Sequence, residues 1–294
     1  MLEVMPGSAP TGDKWSRNPN AVERFVALDD GDMHVVEDGK PGAPALLLIH
    51  ASAASLATWD LVVPSLAGAF RVIRVDLLGC GKSTTPAAGY DVPTQARRVS
   101  AALDKLGVSR VTVIGHSGGC AVAVALAEQR PDAVGAMALI DFGPSLDAKI
   151  PENRLTRLLL TRFPGSLLWR LKTEATIRRG ARMGFNHPVD IPDAMIEDAL
   201  RMTHRAFVGA MRAPVEYLGQ RSLPERLSAL DLPLLVIFGA EDQRWRSSLA
   251  GGYRVVSGAR VELLSGVGHT PILEDPLTTA KLLINFAVAA DCTN

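Results

Sequence analysis

Gly115-His116-Ser117-Gly118-Gly119 sets a serine between glycines, directly after the apolar run Val111–Ile114 and at the start of the helical stretch Gly118–Gln129. A strand turning sharply into a helix holds such a serine at the apex, where only small residues fit two positions before and after it. The helix aims its first N–H groups at the same point and favours negative charge developing there. This suits nucleophilic attack on a carbonyl, provided a base takes the hydroxyl proton. Of the six histidines, His269 lies in Gly266-Val267-Gly268-His269-Thr270-Pro271, between the last apolar run and the last helical pattern. It is the expected base, because loops past strand ends are where such sheets build their sites. The base needs an orienting carboxylate. Asp242, in Gly239-Ala240-Glu241-Asp242 after Leu234–Phe238, is the expected acid. Asp141, which ends Ala136–Ile140, is the alternative, and Glu241 is expected to point away. Ser, Asp, His is also the chain order this kind of triad follows on a strand–turn–helix scaffold.

An oxyanion formed by that attack needs two backbone donors. The N–H of Gly118 is one candidate. The other is expected from the loop after Ala45–Ile49, with Ser52 nominated. His50 is expected to organise that loop, and the turn points His116 away from Ser117; both are also candidates for the pocket wall. His34, His187 and His204 lack such context and are expected on the surface or in the helical segment. Cys120, one turn into the helix, is expected to be packing. Gly81-Lys82-Ser83-Thr84 resembles the end of a phosphate loop, but Asp76 stands where that loop needs its first glycine, so no nucleotide site is expected. No His/Cys/Asp cluster has metal-ligand spacing, and neither a metal nor a cofactor is expected.

These side chains must be held by elements the pattern also foretells. Eight short apolar runs read as strands: Arg24–Leu28, Met33–Glu37, Ala45–Ile49, Arg71–Val75, Val111–Ile114, Ala136–Ile140, Leu234–Phe238 and Val261–Leu264. Asp30-Gly31 joins the first two as a hairpin. Helical patterns at Ala57–Ala67, Thr94–Leu106, Gly118–Gln129, Ser247–Val256 and Leu277–Ala289 alternate with the later runs. The alternation predicts a mostly parallel sheet with helices on both faces. From 144 to 222 no strand is read, only helical patterns separated by Pro164-Gly165, Gly184, Pro188, Pro192 and Pro214. An insertion this long between elements is expected to be functional, here as a cap over the site. The expected organisation is a flexible leader over 1–20, a core over 21–143, a helical cap over 144–222 and the rest of the core over 223–294. The pocket candidates in and around the cap are Trp59, Phe142, Trp169, Met183, Phe207, Met211 and Trp245.

The 294 residues carry 31 basic and 31 acidic side chains, with 47% hydrophobic residues. This is a globular composition. Balanced charge without a Lys/Arg run argues against nucleic acid as partner. No apolar stretch nears the roughly 18 residues of a membrane span, and no membrane partner is expected. The 144–222 segment carries 13 Lys/Arg against 8 Asp/Glu, an excess assigned to solvated arginines, with an anionic group on the substrate as the alternative. No secretory signal is read at the start, and the three scattered cysteines suggest no disulfide framework, so a cytoplasmic protein is expected. The expected partner is a small molecule; nothing in the sequence speaks to oligomeric state.

Taken together, HASA at 50–53, DLLGCGKS at 76–83, GHSGG at 115–119, GAED at 239–242 and GVGHTP at 266–271 resemble the ordered motifs of the α/β-hydrolase superfamily. The likeness covers residues 22–290 and is to its capped serine hydrolases, a group of esterases, C–C bond hydrolases, lactonases and perhydrolases. It implies an α/β-hydrolase fold and a carboxylesterase-like serine hydrolase using Ser117, His269 and Asp242. The substrate expected is a small to medium apolar ester, lactone or thioester. The family usually has His-Gly where this chain has His50-Ala51, and relatives that open epoxides or displace halide carry a carboxylate in place of Ser117. The alternatives left open are a C–C bond hydrolase acting on a diketone-like substrate, and a ligand-binding or cyclising protein that uses the capped pocket.

Overall fold

The computed structural model describes residues 20–292. The leader expected over 1–20 lies, but for its last residue, outside the described residues. Eight strands form one sheet: β1 (Val22–Leu28), β2 (Gly31–Asp38), β3 (Ala45–Ile49), β4 (Arg71–Val75), β5 (Val111–His116), β6 (Val134–Ile140), β7 (Leu234–Gly239) and β8 (Arg260–Leu264). Their order is β1-β2-β4-β3-β5-β6-β7-β8. β1 and β2 form the antiparallel hairpin, β2 pairs antiparallel with β4, and every later pairing is parallel.

The continuous apolar runs exist because both faces of the central strands are covered. Leu47, Ile49, Val113, Met137, Leu139, Val236 and Phe238 face one core. Helices α2 (Val92–Lys105) and α3 (Gly118–Gln129) close it. Leu46, Leu48, Ile114, Ala138, Ile140, Leu235 and Ile237 face the other. There α1 (Val63–Leu66), α10 (Pro271–Glu274) and α11 (Pro276–Cys292) pack.

Two helical expectations change form. Ala57–Ala67 becomes a 3-10 turn at Leu56–Trp59 followed by the four-residue α1, which Pro64 opens at a helix-start position. Ser247–Val255 winds as a 3-10 helix through Gly251-Gly252, residues that disfavour an α-helix.

Between β6 and β7 the chain forms α4 (Arg154–Leu159), α5 (Gly165–Arg170), α6 (Glu174–Arg182), α7 (Asp193–Arg201), α8 (His204–Gln220) and α9 (Leu223–Leu227). Pro164, Gly184, Pro188 and Pro192 fall between or at the ends of these helices, as expected. Pro214 does not: it sits inside α8. A mid-helix proline forfeits a backbone hydrogen bond. Its ring lies against Gly118, where a Cβ on that glycine would sit 3.0 Å from Pro214 Cγ. The helix tolerates its breaker where it meets the serine turn. No helix among the described residues is long and apolar enough to cross a membrane.

Candidate active site

Ser117 holds φ +49° and ψ −123° between β5 and α3, a conformation that L-residues rarely adopt. The Ser117 N–H donates to Ile140 O at 2.8 Å and its carbonyl accepts from Cys120 N–H at 2.8 Å, which pins the turn. The glycines flanking it are a packing requirement. A Cβ on Gly115 would lie 2.7 Å from Cys120 N, and one on Gly119 would collide with the carbonyls of Ile49 and His50.

Three strand ends deliver the remaining parts. His269 follows β8, and its Nε2 lies 3.0 Å from Ser117 Oγ. Its Nδ1 lies 2.9 Å from Oδ2 of Asp242, which follows β7. A carboxylate only accepts, so His269 Nδ1 carries the proton and Nε2 is left to accept the Ser117 hydroxyl. Burial pushes the Asp242 carboxyl up. The His269 charge and hydrogen bond, with the N–H groups of Arg244 and Trp245 at 2.6 and 3.2 Å from Oδ1, outweigh that and hold it below the ordinary range. Asp242 is therefore ionised at neutral pH.

Asp141, the alternative acid, sits beside this line without joining it. Its Oδ1 accepts from Gly239 N–H at 2.8 Å, and its Oδ2 is buried without a hydrogen-bond partner. Burial, then the neighbouring Asp242 carboxylate, raises its carboxyl well above the usual range. One carboxyl of the pair is kept neutral so that the other can be charged. Asp141, Asp242 and His269 are the group of ligand-type side chains among the described residues whose atoms lie within 4.8 Å of one another. Hydrogen bonds within the pair and from the backbone already occupy Asp242 and His269, which leaves Asp141 Oδ2 alone to face a cation.

His50 ends β3 and organises the next loop, as expected. Its Nδ1–H donates to Ala51 O at 2.8 Å and its Nε2 accepts from Leu77 N–H at 3.0 Å. Burial lowers its pKa, which suits this neutral tautomer. The loop presses Ser52 Oγ against Gly118, where any Cβ would displace it. The left-handed residue of the loop is Ala53, at φ +54°, two positions beyond the alanine that departs from the family pattern.

Beside this loop lies a cavity of about 30 Å³, lined by His50–Ala53, Gly118, Gly119 and mainly apolar side chains, among them Leu77, Val122, Ala210, Ala213 and Pro214. Several expected wall residues are not part of it. His116 is buried behind His269 and donates Nε2–H to the His269 carbonyl at 2.8 Å. Burial, then the neighbouring His269, lowers its pKa to about 3, so it acts as a neutral prop. Trp59 belongs to the core beneath, its ring edge-on to His116 at 6.4 Å. Phe142 and Trp245 pack on each other at 4.6 Å in the opposite core. Aromatic residues near strand ends satisfy a pocket and a core pattern alike, and here packing claimed them.

Trp169 stacks on Phe207 at 4.2 Å, over Cys80, with Met211 packed alongside. Trp169 also lines a second, open hollow of about 940 Å³ with Lys172, Arg201 and Arg205, and this hollow does not reach Ser117. Met183 is half exposed at the end of α6, next to Gly184.

Three contributors escaped the sequence reading. Gly184 O accepts the His269 N–H at 2.8 Å, so the helical insertion holds the histidine loop directly. Glu274, its side chain buried, accepts from Asn186, Gly268 and Thr270 N–H at 2.7, 3.0 and 3.1 Å. It ties the same loop to the insertion. A glutamate five residues after the histidine was visible, but nothing in the pattern said which backbone it would meet. Tyr90 was also missed: it lines the cavity and fits because Gly79 and Gly209 leave room for its ring.

A serine turn after β5, a carboxylate after β7 and a histidine after β8 sit on a fold that comparison with known proteins names. The family model described as alpha/beta hydrolase fold matches residues 44–176. The chain is 30% identical over 261 residues to an uncharacterized protein of Mycobacterium tuberculosis, covering 83% of this chain and 75% of that one. It is 28% identical to the 2-hydroxy-6-oxononadienedioate/2-hydroxy-6-oxononatrienedioate hydrolase of Cupriavidus pinatubonensis, over 90% and 95% of the two chains. Among solved structures it is similar to a membrane phospholipase A, at 27% identity and a TM-score of 0.75, covering 92% and 87%. The chain belongs to the α/β-hydrolase family.

Proposed function

We propose that this protein is a serine hydrolase that cleaves an ester-like bond, in an ester, lactone or thioester, of a small to medium apolar substrate. The observation that carries the reading is the continuous line from Asp242 through His269 to Ser117, at 2.9 and 3.0 Å. His269 Nε2 takes the hydroxyl proton as Ser117 Oγ attacks the substrate carbonyl. Asp242 stabilises the imidazolium without taking the proton. The N–H groups of Gly118 and Ser52 receive the oxyanion. His269 then protonates the leaving group, and a water activated by the same ring releases the acyl group from Ser117. The helical insertion serves as a cap, with Pro214 at Gly118 and Gly184 at His269 as its points of contact with the site. The apolar lining of the small cavity supports an apolar acyl group.

Intact-mass measurement with a fluorophosphonate tests this. One adduct on the wild type and none on Ser117→Ala is expected. No adduct with either a large or a small probe would sink the reading. A second reading, C–C bond hydrolysis of a diketone-like substrate, has support from the 28% identical relative named as a 2-hydroxy-6-oxononadienedioate hydrolase. It would use the same residues. Product analysis on ester and diketone panels separates the two.

A further inference from the structure

Six of the thirteen large apolar side chains exposed among the described residues fall within 155–183, so this surface differs from the rest of the molecule. They are Leu155, Leu158, Phe163, Leu167, Leu171 and Met183, with Phe163 77% and Leu171 67% exposed. They stand on one contiguous body. α4 packs on α5, and Asn153 at the head of α4 reaches Met183 at the end of α6, Nδ2 to Sδ at 4.0 Å. On α5 the inner positions Gly165 and Trp169 are buried, whereas Leu167 on the helix and Leu171 just past its end are exposed.

The same stretch, 154–183, has eight Lys/Arg and a single acid, Glu174. Arg154, Arg157, Arg162, Arg170, Arg179 and Arg182 are exposed, and none has a carboxylate partner among the described residues. Glu174 is already taken by Arg178.

We propose that the outer face of α4–α6 docks onto an anionic lipid surface. Apolar side chains bordered by basic ones, on short helices of which α4 and α5 pack together, match the two attractions of an interfacial segment. The leucines and phenylalanine enter the acyl boundary, and the arginines meet the headgroup phosphates. A second copy of this chain fits poorly, because a two-fold contact would set the same unpaired arginines against each other. The docked face ends at Met183, one residue before the Gly184 carbonyl that holds His269. A lipid surface would therefore lie near the mouth of the site. The docking rests on the surface alone and holds whichever bond Ser117 cleaves.

Co-sedimentation of the full chain with phosphatidylcholine vesicles, with and without phosphatidylglycerol, tests it. Binding only to the mixed vesicles, weakening as salt is added, is expected. Arg157→Glu with Arg162→Glu should lower partitioning about tenfold or more. Phe163→Ser with Leu171→Ser should lower it by a similar factor, about tenfold, with the melting temperature unchanged. Neither pair touches the candidate active site. Absence of binding to the mixed vesicles would overturn the proposal. So would loss with the arginine pair but not the apolar pair, since that is charge attraction without insertion. A solution mass of two copies that Phe163→Ser with Leu171→Ser returns to one would assign the face to self-association instead.

Discussion

β6 and α6 lie in the same chain, and their burial could hardly differ more. All seven residues of β6 are buried, and none of the nine residues of α6 is. α4 likewise buries nothing. The strands that deliver Ser117, Asp242 and His269 are fixed by two packed cores, so each side chain is where the backbone must put it. The α4–α6 body is held by its edges, through Gly184, Asn186 and the Trp169–Phe207 stack. Its residues are free to face outward. The Ser117–His269–Asp242 line thus stands on the over-determined region, and the exposed apolar and basic side chains stand on the lightly held one.

The sharpest way to break this contrast is to strike its rigid side. On the hydrolase reading, Ser117→Ala should cut turnover about a millionfold on any cleaved substrate, with the fold kept. Turnover persisting in that variant would favour a binding or cyclising protein. Asp242→Asn should cost about ten-thousandfold in kcat, because the imidazole loses both its orienting acceptor and the anion that stabilises its charge. Unchanged kcat there, with Asp141→Asn inactive, would move the acid to Asp141. Leu139→Ala in β6 should cost about 2–5 kcal/mol in denaturant unfolding, the usual range for a leucine with no room to collapse around the gap.

The same contrast explains what the sequence could and could not reveal. The central strands were legible because a strand buried on both faces reads as an unbroken apolar run, and the edge hairpin because Asp30-Gly31 marks its turn. Ser117, His269 and Asp242 were legible because turn geometry and chain order restrict them. The pocket wall was not. Trp59, Phe142 and Trp245 read as lining and became core, since burial demands the same residue types for both roles. Glu274 and Gly184 act through backbone contacts 88 and 85 positions away in the chain, Asn186–Glu274 and Gly184–His269, and such contacts leave no local pattern. The surface of α4–α6 was legible only in part. The basic excess of 144–222 was read from the sequence, but thirteen bases against eight acids over that segment dilute eight against one in 154–183, and nothing in the pattern said which apolar side chains would be left exposed beside them.

Asp141 sharpens the comparison from within the rigid region. Burial and the charge of Asp242 raise its carboxyl, with buried Glu274 adding to the repulsion. Below the ordinary carboxylate range, near pH 4, folded and unfolded chains both keep its proton. As pH rises, the unfolded chain releases the proton first, so the folded state loses stability until the folded group also titrates. Asparagine keeps an oxygen for Gly239 N–H and has no proton to lose. The melting temperature of Asp141→Asn relative to wild type should therefore rise steadily from pH 4 to neutrality. A difference that stays flat across that window would mean that Asp141 is ionised in the folded protein and that the paired-carboxyl account is wrong.

The smallest expected effect belongs to the other region and is informative for being small. Leu155 has the same side chain as Leu139, yet it is 63% exposed on a helix that buries nothing. Leu155→Ala removes little buried area, and alanine is the better helix former, so its stability should stay within about 0.5 kcal/mol of wild type. Paired with Leu139→Ala in the same denaturant series, it reads the contrast between β6 and α4 directly. A cost approaching that of Leu139→Ala would show that Leu155 is covered in solution. Dilution would then identify the cover: a cost that fades with falling protein concentration belongs to a second copy, and one that does not belongs to the chain itself.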